Sequence, residues 1–196
     1  MMNQTRPSRT ARFTLLAAAG IALSATLLGC SGPTKNVSFG EPQSIEVEDE
    51  STKTKATLEF VMNSVDTVQA ADITDSVTFS GDYANGTVYK VNYTVKITEG
   101  EFGADYSYPF SHYKWGAELA DGSDIAVVNL GLRATIPGCE ELDGDRVAEF
   151  ASKKEMTACV AFVSANKGEL STVIYDQPTV SYKGRDKGYR WSVAQQ

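Results

Sequence analysis

The sequence contains few of the residues on which common enzyme sites depend. His112 is the single histidine in a chain of 196 residues. A serine or cysteine nucleophile needs a neighbouring base to take its proton, and histidine is the usual base. The chain also lacks a Gly-x-Ser-x-Gly segment, a glycine-rich loop followed by lysine, and a dinucleotide fingerprint. These absences argue against histidine-dependent hydrolases and nucleotide-binding enzymes, and we interpret His112 as a partly exposed strand residue among aromatic neighbours.

The apolar stretch near the start is short. Residues 13–28 form a run of 16 positions behind Arg6, Arg9 and Arg12, with no acidic residue nearby. A helix needs about 20 apolar residues to cross a bilayer. A basic start followed by a short apolar run is typical of an export signal. A retained transmembrane helix is the alternative, and the length of the run argues against it.

A cysteine follows this run directly. Leu27-Leu28-Gly29-Cys30 places an aliphatic residue three positions before the cysteine and a small residue one position before it. The order resembles the lipobox of bacterial lipoproteins. This resemblance implies that residues 1–29 are a signal peptide and that Cys30 carries a diacylglyceryl group as the first mature residue. Because two acyl chains hold far better than one, we expect a lipid-anchored protein on the outer side of the bacterial cell membrane.

Two further cysteines, Cys139 and Cys159, lie 20 positions apart. In an oxidising exterior they can pair once Cys30 is acylated. A disulfide closing a loop of this size stabilises by about 3 kcal/mol in the chain-entropy model. Two free thiols are the alternative to this predicted disulfide. A metal site has weaker support, because His112 is distant in sequence and no third sulfur is available.

Charge and composition divide the remaining chain. Without residues 1–29 the chain of 196 has 167 residues, enough for one domain with a proper core. All 25 acidic residues and 15 of the 18 basic ones lie there, which gives a net charge of −10. That charge disfavours nucleic acid and anionic lipid as partners. Residues 30–44 are rich in Gly, Pro and Ser and are predicted to be a lipidated tether, which leaves 45–196 for the domain.

Apolar and polar residues alternate through most of this domain, as in half-buried strands. Residues 88–98 show the pattern best, the apolar segment 158–163 predicts a central strand, and the glutamates of 44–50 suit an edge strand. The segment 145–155 is the best helix candidate, with a loop leading to a strand as the alternative. Further strands are predicted at 55–65, 76–81, 124–132, 171–176, 178–182 and 189–193.

Short strands separated by Asn-Gly and Asp-Gly turns are typical of a β-sandwich. The order of the long strand, an aromatic and polar stretch leading to residues 115–125, the segment 156–176 and a closing 189–193 resembles the telokin-like immunoglobulin-type domains of bacterial exported proteins. The resemblance spans about residues 45–194. The strand pattern predicts an all-β fold of about eight or nine antiparallel strands behind the signal peptide, and the resemblance implies that they form an immunoglobulin-like β-sandwich. It also implies a domain without enzymatic activity that makes contacts at the cell surface.

The aromatic stretch at residues 102–115 is the candidate binding surface. Six of its residues are Phe, Tyr or Trp, and Pro109 indicates an edge or a loop because proline cannot donate to a ladder. Tyrosine and tryptophan outside a sheet favour recognition. We predict a recognition surface around Tyr106, Tyr108 and Tyr113. The alternative is that these rings fill the core.

Clustered acids allow two other hypotheses. Residues 121–124 and 143–145 offer oxygen ligands for calcium, but neither is a twelve-residue loop ending in a bidentate glutamate, and Asp-Gly turn chemistry explains both. No metal or cofactor is therefore predicted. A hydrolase with two opposed carboxylates and a purely structural envelope protein are alternative functions. We expect a non-enzymatic binding module whose partner is an unknown protein or small-molecule ligand at the cell surface.

Overall fold

The computed structural model describes residues 36–193 apart from seven short gaps. These gaps are 71–72, 74–78, 80, 131–135, 141, 166–167 and 176–187. The predicted signal peptide and Cys30 therefore lie outside the described residues, as does the predicted strand at 178–182. Of the predicted strand at 76–81, only Phe79 and Gly81 are described.

Nine strands and one α-helix make up the regular structure of the described residues. The strands are β1 (Asn36–Ser38), β2 (Pro42–Glu48), β3 (Lys55–Gln69), β4 (Thr87–Gly100), β5 (Trp115–Leu119), β6 (Asp124–Val127), β7 (Glu155–Ser164), β8 (Leu170–Tyr175) and β9 (Tyr189–Ser192). The helix is α1 (Gly144–Lys153). In the described part of the chain, no helix has the length and apolarity that a membrane crossing requires.

The strands form one mixed sheet in the order β1-β9-β8-β5-β6-β7-β4-β3-β2. The prediction of an all-β fold is confirmed. So are the central position of β7, which lies between β6 and β4, and the edge position of β2. The expected antiparallel pairing holds for the described strand pairs except β1 with β9, which is parallel.

This parallel pair also moves the start of the domain. Asn36–Ser38 pair with Arg190–Ser192, and Val37 is buried, so the sheet begins within the segment predicted as a tether and before the predicted boundary at residue 45. Three residues with one apolar side chain are too few to produce a periodic pattern. The sequence therefore gives no local signal for β1.

The sheet curls until its two edges approach each other. Between β1 and β2 the chain bends, so that Phe39 N donates to Ser192 O at 3.1 Å and Gly40 N donates to Met62 O at 2.8 Å. The Gln43 side chain crosses the same seam and donates to Arg190 O at 2.9 Å. These bonds connect β9, which lies next to the edge strand β1, with β2 at the other edge and its neighbour β3, and the sheet is nearly a closed barrel.

Rings from opposite walls of the curled sheet meet in the core. Phe60 of β3 lies 5.2 Å from Tyr175 of β8, and Tyr93 of β4 lies 5.0 Å from Trp115 of β5, measured between ring centroids. All four side chains are buried. Packed aromatic pairs of this kind add to the stability that burial of their area supplies.

The best helix candidate of the sequence is helical. Asp143 caps α1 by accepting a hydrogen bond from Arg146 N at 2.9 Å, and the helix ends at Lys154 in the left-handed conformation. Its apolar stripe is narrow, with Val147 and Phe150 as the buried residues. A cap and two buried residues are enough here because the helix packs against the sheet.

Candidate functional site

The sheet opens between β5 and β7, where β6 changes partners. The first residues of β6 pair with β5, with Ala117 opposite Ile125, and its last residues pair with β7, with Val127 opposite Phe162. Beyond this crossing, Val128 N still donates to Ala161 O at 2.8 Å. Beyond this crossing, no described strand pairs with both β5 and β7.

A cavity of about 230 Å³ occupies this opening. Its apolar lining includes Phe110, Trp115, Leu142 and Val160, and its polar lining includes Ser107, Ser111, His112, Asn129 and Glu140. Ser107 and Glu140 are exposed, so the cavity reaches the surface. These residues come from the aromatic stretch, from β5 and β7, from the chain just after β6 and from the chain just before α1.

The predicted pair of cysteines borders the cavity. Cys139 and Cys159 form a disulfide with a Cα–Cα distance of 5.4 Å, and both are buried. Cys159 belongs to β7 and lines the cavity, whereas Cys139 follows a short turn in which its amide donates to Ile136 O at 2.8 Å. The disulfide therefore fastens the turn before Glu140 to the wall of the sheet.

The aromatic stretch divides between core and surface. Phe110 and Trp115 are buried, and Phe110 packs on Phe150 of α1 with 5.4 Å between ring centroids. Tyr108 is 48% exposed and Tyr113 is 81% exposed. Tyr108 and Tyr113 therefore lie outside the core, as one interpretation of the sequence has it, whereas Phe110 and Trp115 fill the core, as the alternative has it.

Two consecutive 3-10 turns, Tyr108–Phe110 and His112–Lys114, hold the exposed rings. Lys114 is buried beneath the Tyr108 ring, with its Nζ 4.1 Å from the centre of that ring. From the core side, the Tyr175 hydroxyl donates to Pro109 O at 2.9 Å. A cation–π contact and a buried hydrogen bond thus fix this turn to the domain.

Tyr106 is half-buried and faces a group of acids. Its hydroxyl donates to Glu48 O at 2.9 Å, at the end of β2. Burial raises the pKa of Tyr106, and the charges of Asp49, Glu50 and Glu48, together with Tyr108, raise it further. The same carboxylates make this end of the tyrosine stretch electronegative.

The sequence predicts His112 to be a strand residue, and this prediction is wrong. His112 begins the second 3-10 turn. It is half-buried, lines the cavity and lies 3.9 Å from the Tyr113 ring between centroids. Burial lowers its pKa, so the imidazole is neutral at pH 7. Neutral histidine both donates and accepts hydrogen bonds at the cavity.

The two acidic clusters have local structural roles. Asp121 Oδ1 accepts from Ser123 N at 2.9 Å and from Ser123 Oγ at 2.6 Å, which closes the turn between β5 and β6. Asp143 is the cap of α1. Within the described ranges, no group of three or more His, Cys, Asp or Glu side chains is arranged to hold a metal ion.

Sequence reasoning did not find the cavity. Asn129, Glu140 and Val160 lie in three separate segments of the chain. The pairing of β6 with β7 and the Cys139–Cys159 disulfide bring them together. Two residues of β6 pair with β5 and the next two pair with β7, and such short pairings leave no distinctive pattern in the sequence. The aromatic stretch and the predicted cysteine pair were the available signals, since both contribute residues to the lining.

Comparison with protein-family models, with curated proteins and with solved structures gave no match. The function of the cavity and of the aromatic stretch beside it therefore has to be inferred from their own geometry and chemistry.

Proposed function

We propose that this chain is a lipid-anchored bacterial surface protein that binds a partner without catalysis. The partner contacts the tyrosine surface, defined as Tyr106, Tyr108 and Tyr113. One observation carries the proposal: two tyrosine rings are 48% and 81% exposed on turns that the core holds in place. Large rings presented at low conformational cost are typical of recognition surfaces.

The rigidity of these turns supports a binding role. Backbone bonds close both turns, with Phe110 N donating to Ser107 O and Lys114 N donating to Ser111 O, each at 2.9 Å. A segment that is ordered before binding loses less conformational entropy when a partner arrives. More of the gross contact energy then remains as affinity.

The immunoglobulin-like sandwich is part of the proposal. Its support is the facing of β3 and β4 against β5 and β8, through the ring pairs Phe60–Tyr175 and Tyr93–Trp115. Such domains carry binding residues on the turns and loops at their ends. The tyrosine surface occupies a turn segment of this kind, between β4 and β5.

The anchor at Cys30 rests on the lipobox resemblance, and it constrains where binding takes place. Only residues 31–35 separate Cys30 from β1. A fully extended chain spans at most about 3.6 Å per residue, so the domain would lie within about 20 Å of the lipid. The partner would accordingly be a component of the cell envelope.

Membrane partition and site-specific cross-linking in cells test both parts of the proposal. The native chain should carry an acyl mass and partition with membranes, whereas Cys30→Ala should do neither. Cross-linking from a position beside the surface should give a discrete envelope product. Tyr108→Ala combined with Tyr113→Ala should reduce its yield at least about fivefold, as expected for a loss above 1 kcal/mol.

Tyr83→Ala is the matched control. Tyr83 is 39% exposed and also lies on a 3-10 turn, Gly81–Tyr83, but it is not part of the tyrosine surface. Equal losses in the control and the double variant would refute the binding surface. An unmodified Cys30 in the native chain would refute the anchor.

A further inference from the structure

The cavity between β5 and β7 and the tyrosine surface share one segment of the chain. Ser107 lies between Tyr106 and Tyr108, Ser111 and His112 directly precede Tyr113, and all three line the cavity. A partner seated on Tyr108 and Tyr113 therefore contacts residues adjacent in the chain to this lining. Interfaces commonly concentrate their binding energy where one side chain fills such a pocket.

The size of the cavity favours a single side chain over a complete small molecule. Its volume is about 230 Å³. Sites for drug-sized ligands usually measure about 300–1,000 Å³. An anchoring side chain presented by a larger partner fits this space, because the remainder of the partner stays outside on the rings.

One residue of the polar lining, Glu140, favours a hydrogen-bond donor with positive charge, because an ionised carboxylate only accepts. Ser107, Ser111 and Asn129 can each accept a further hydrogen bond through an oxygen, although they also carry donors. Among the described residues that line the cavity there is no lysine or arginine. His112, neutral at pH 7, adds no positive charge.

The apolar part of the lining suits the stem of the same side chain. Phe110, Trp115, Leu142 and Val160 form a surface on which methylene groups can be buried. Arginine and lysine bury their stems on apolar surfaces of this kind while their charged heads reach polar groups. A purely apolar side chain would use the apolar part of this lining but make no hydrogen bond to its polar part.

The Glu140 carboxylate is accessible to a second cation. Its side chain is 80% exposed, and its ion pair with Arg146 is long, with 3.9 Å between Nη1 and Oε2. Beyond the cavity, Asp49 and Glu50 make the neighbourhood of Tyr106 negative. Complementary charge of this sign steers basic partners and repels acidic ones.

We propose that the cavity receives an arginine or lysine side chain of a basic protein partner whose surface packs on Tyr108 and Tyr113. The inference rests on the proposed function, because it names the partner chemistry for the same surface. The basic head is placed at Glu140 and its stem against Phe110 and Trp115.

A titration with Nα-acetyl-arginine amide tests this inference, and the neutral isostere Nα-acetyl-citrulline amide is the ligand control. The full-length chain in detergent micelles is followed by NMR through its two indole N–H signals. The Trp115 signal should shift at millimolar arginine derivative. The Trp191 signal should not, because Trp191 does not line the cavity and its indole donates to Glu41 O at 3.3 Å.

Glu140→Gln should lower the affinity for the arginine derivative about threefold to fivefold, which is the range expected for the loss of an exposed ion pair. Glu155→Gln is the matched control, since Glu155 is a similarly exposed acid paired with Lys96 at 3.5 Å and does not line this cavity. The citrulline derivative should bind more weakly than the arginine derivative by a similar factor.

Equal binding of the two derivatives, no response of Trp115, or unchanged affinity in Glu140→Gln would overturn the inference. None of these outcomes affects the cross-linking result for the tyrosine variants. The proposed function is judged by the cross-linking yields and by the acyl mass at Cys30, so the two failures are distinguishable.

Discussion

The sheet has two unequal halves that share one core. The long-strand half consists of β2, β3, β4 and β7, in which β3 has 15 residues, β4 has 14 and β7 has 10. The short-strand half consists of β1, β5, β6, β8 and β9, with three to six residues each. Extended pairing in the first half produces a continuous wall, whereas the second half leaves room for turns and for an opening.

The difference between the halves locates the candidate site. The cavity lies where short β6 passes from β5 to β7, and the tyrosine surface lies on the turns that precede β5. Binding residues are commonly placed on irregular segments that a rigid scaffold positions. Here the long-strand half is the scaffold, and its inward rings hold the short-strand half in place.

Removing the central ring of the core should have the largest effect. Phe60 is fully buried, and its ring lies 5.2 to 6.5 Å from those of Tyr175, Tyr93, Trp115 and Phe110. Phe60→Ala should lower the free energy of unfolding by about 3–5 kcal/mol in urea denaturation. Both halves should then unfold in one transition, because they share this ring.

Glu59→Ala is the control for that variant. Glu59 is the preceding residue of β3 and lies on the opposite face of the sheet. Its change should stay within about 0.5 kcal/mol. Two separate transitions in Phe60→Ala would show that the halves are independent units and would contradict the shared core.

Loss of the disulfide should have the next largest effect. Replacing Cys139 and Cys159 by alanine should cost about 3 kcal/mol, since the crosslink closes a loop with a sequence separation of 20. The loss should appear in thermal melts of the double variant. The reductant-treated native chain should melt at a similar temperature, whereas adding reductant to the double variant should change nothing.

The disulfide variant also sharpens the comparison between the halves. The bond fastens a turn beside the cavity to β7, so hydrogen exchange should increase near Glu140 more than in β3 or β4. Uniformly faster exchange across β3 and β4 would mean that the crosslink supports the scaffold as well as the rim of the site.

The long-strand half was the part of the fold that sequence could predict. Residues 88–98 alternate over many positions, and the apolar run at 158–163 marks a strand covered on both faces. The short strands were harder, since β1 has one buried residue and β6 pairs with two different neighbours. A period of two needs several residues to become visible, and these strands do not supply them.

The aromatic stretch shows where pattern reasoning fails at the site. Tyr106, Tyr108 and Phe110 share one parity, which in a strand would place them on one face. The segment forms 3-10 turns instead, so Phe110 is buried while Tyr108 is exposed. Burial of Lys114 beneath Tyr108 depends on the same turns and had no signal in sequence, because a lysine is rarely buried.

The smallest effect is expected at a hydrogen bond that connects the core to the site. The buried Tyr175 hydroxyl donates to Pro109 O, within the first turn of the tyrosine surface. Tyr175→Phe should cost about 1 kcal/mol at pH 7, the usual net value of such a bond. Tyr113→Phe should cost less than about 0.5 kcal/mol, because that ring is 81% exposed.

Alkaline pH tests whether the core keeps the Tyr175 hydroxyl protonated. Burial raises the pKa of Tyr175 above its ordinary value of 10.0, so the unfolded chain loses this proton first. The contribution of the protonated Tyr175 hydroxyl to the free energy of unfolding is complete below pH 10. It is lost as the pH rises from about 10 toward the pKa of this hydroxyl in the folded state. In the native chain this residue should contribute a fall of about 1.4 kcal/mol per pH unit in that interval, measured by urea denaturation. In Tyr175→Phe, the free energy of unfolding should fall less steeply with pH, by the contribution of one proton. An unchanged slope would show that the core does not keep this hydroxyl protonated.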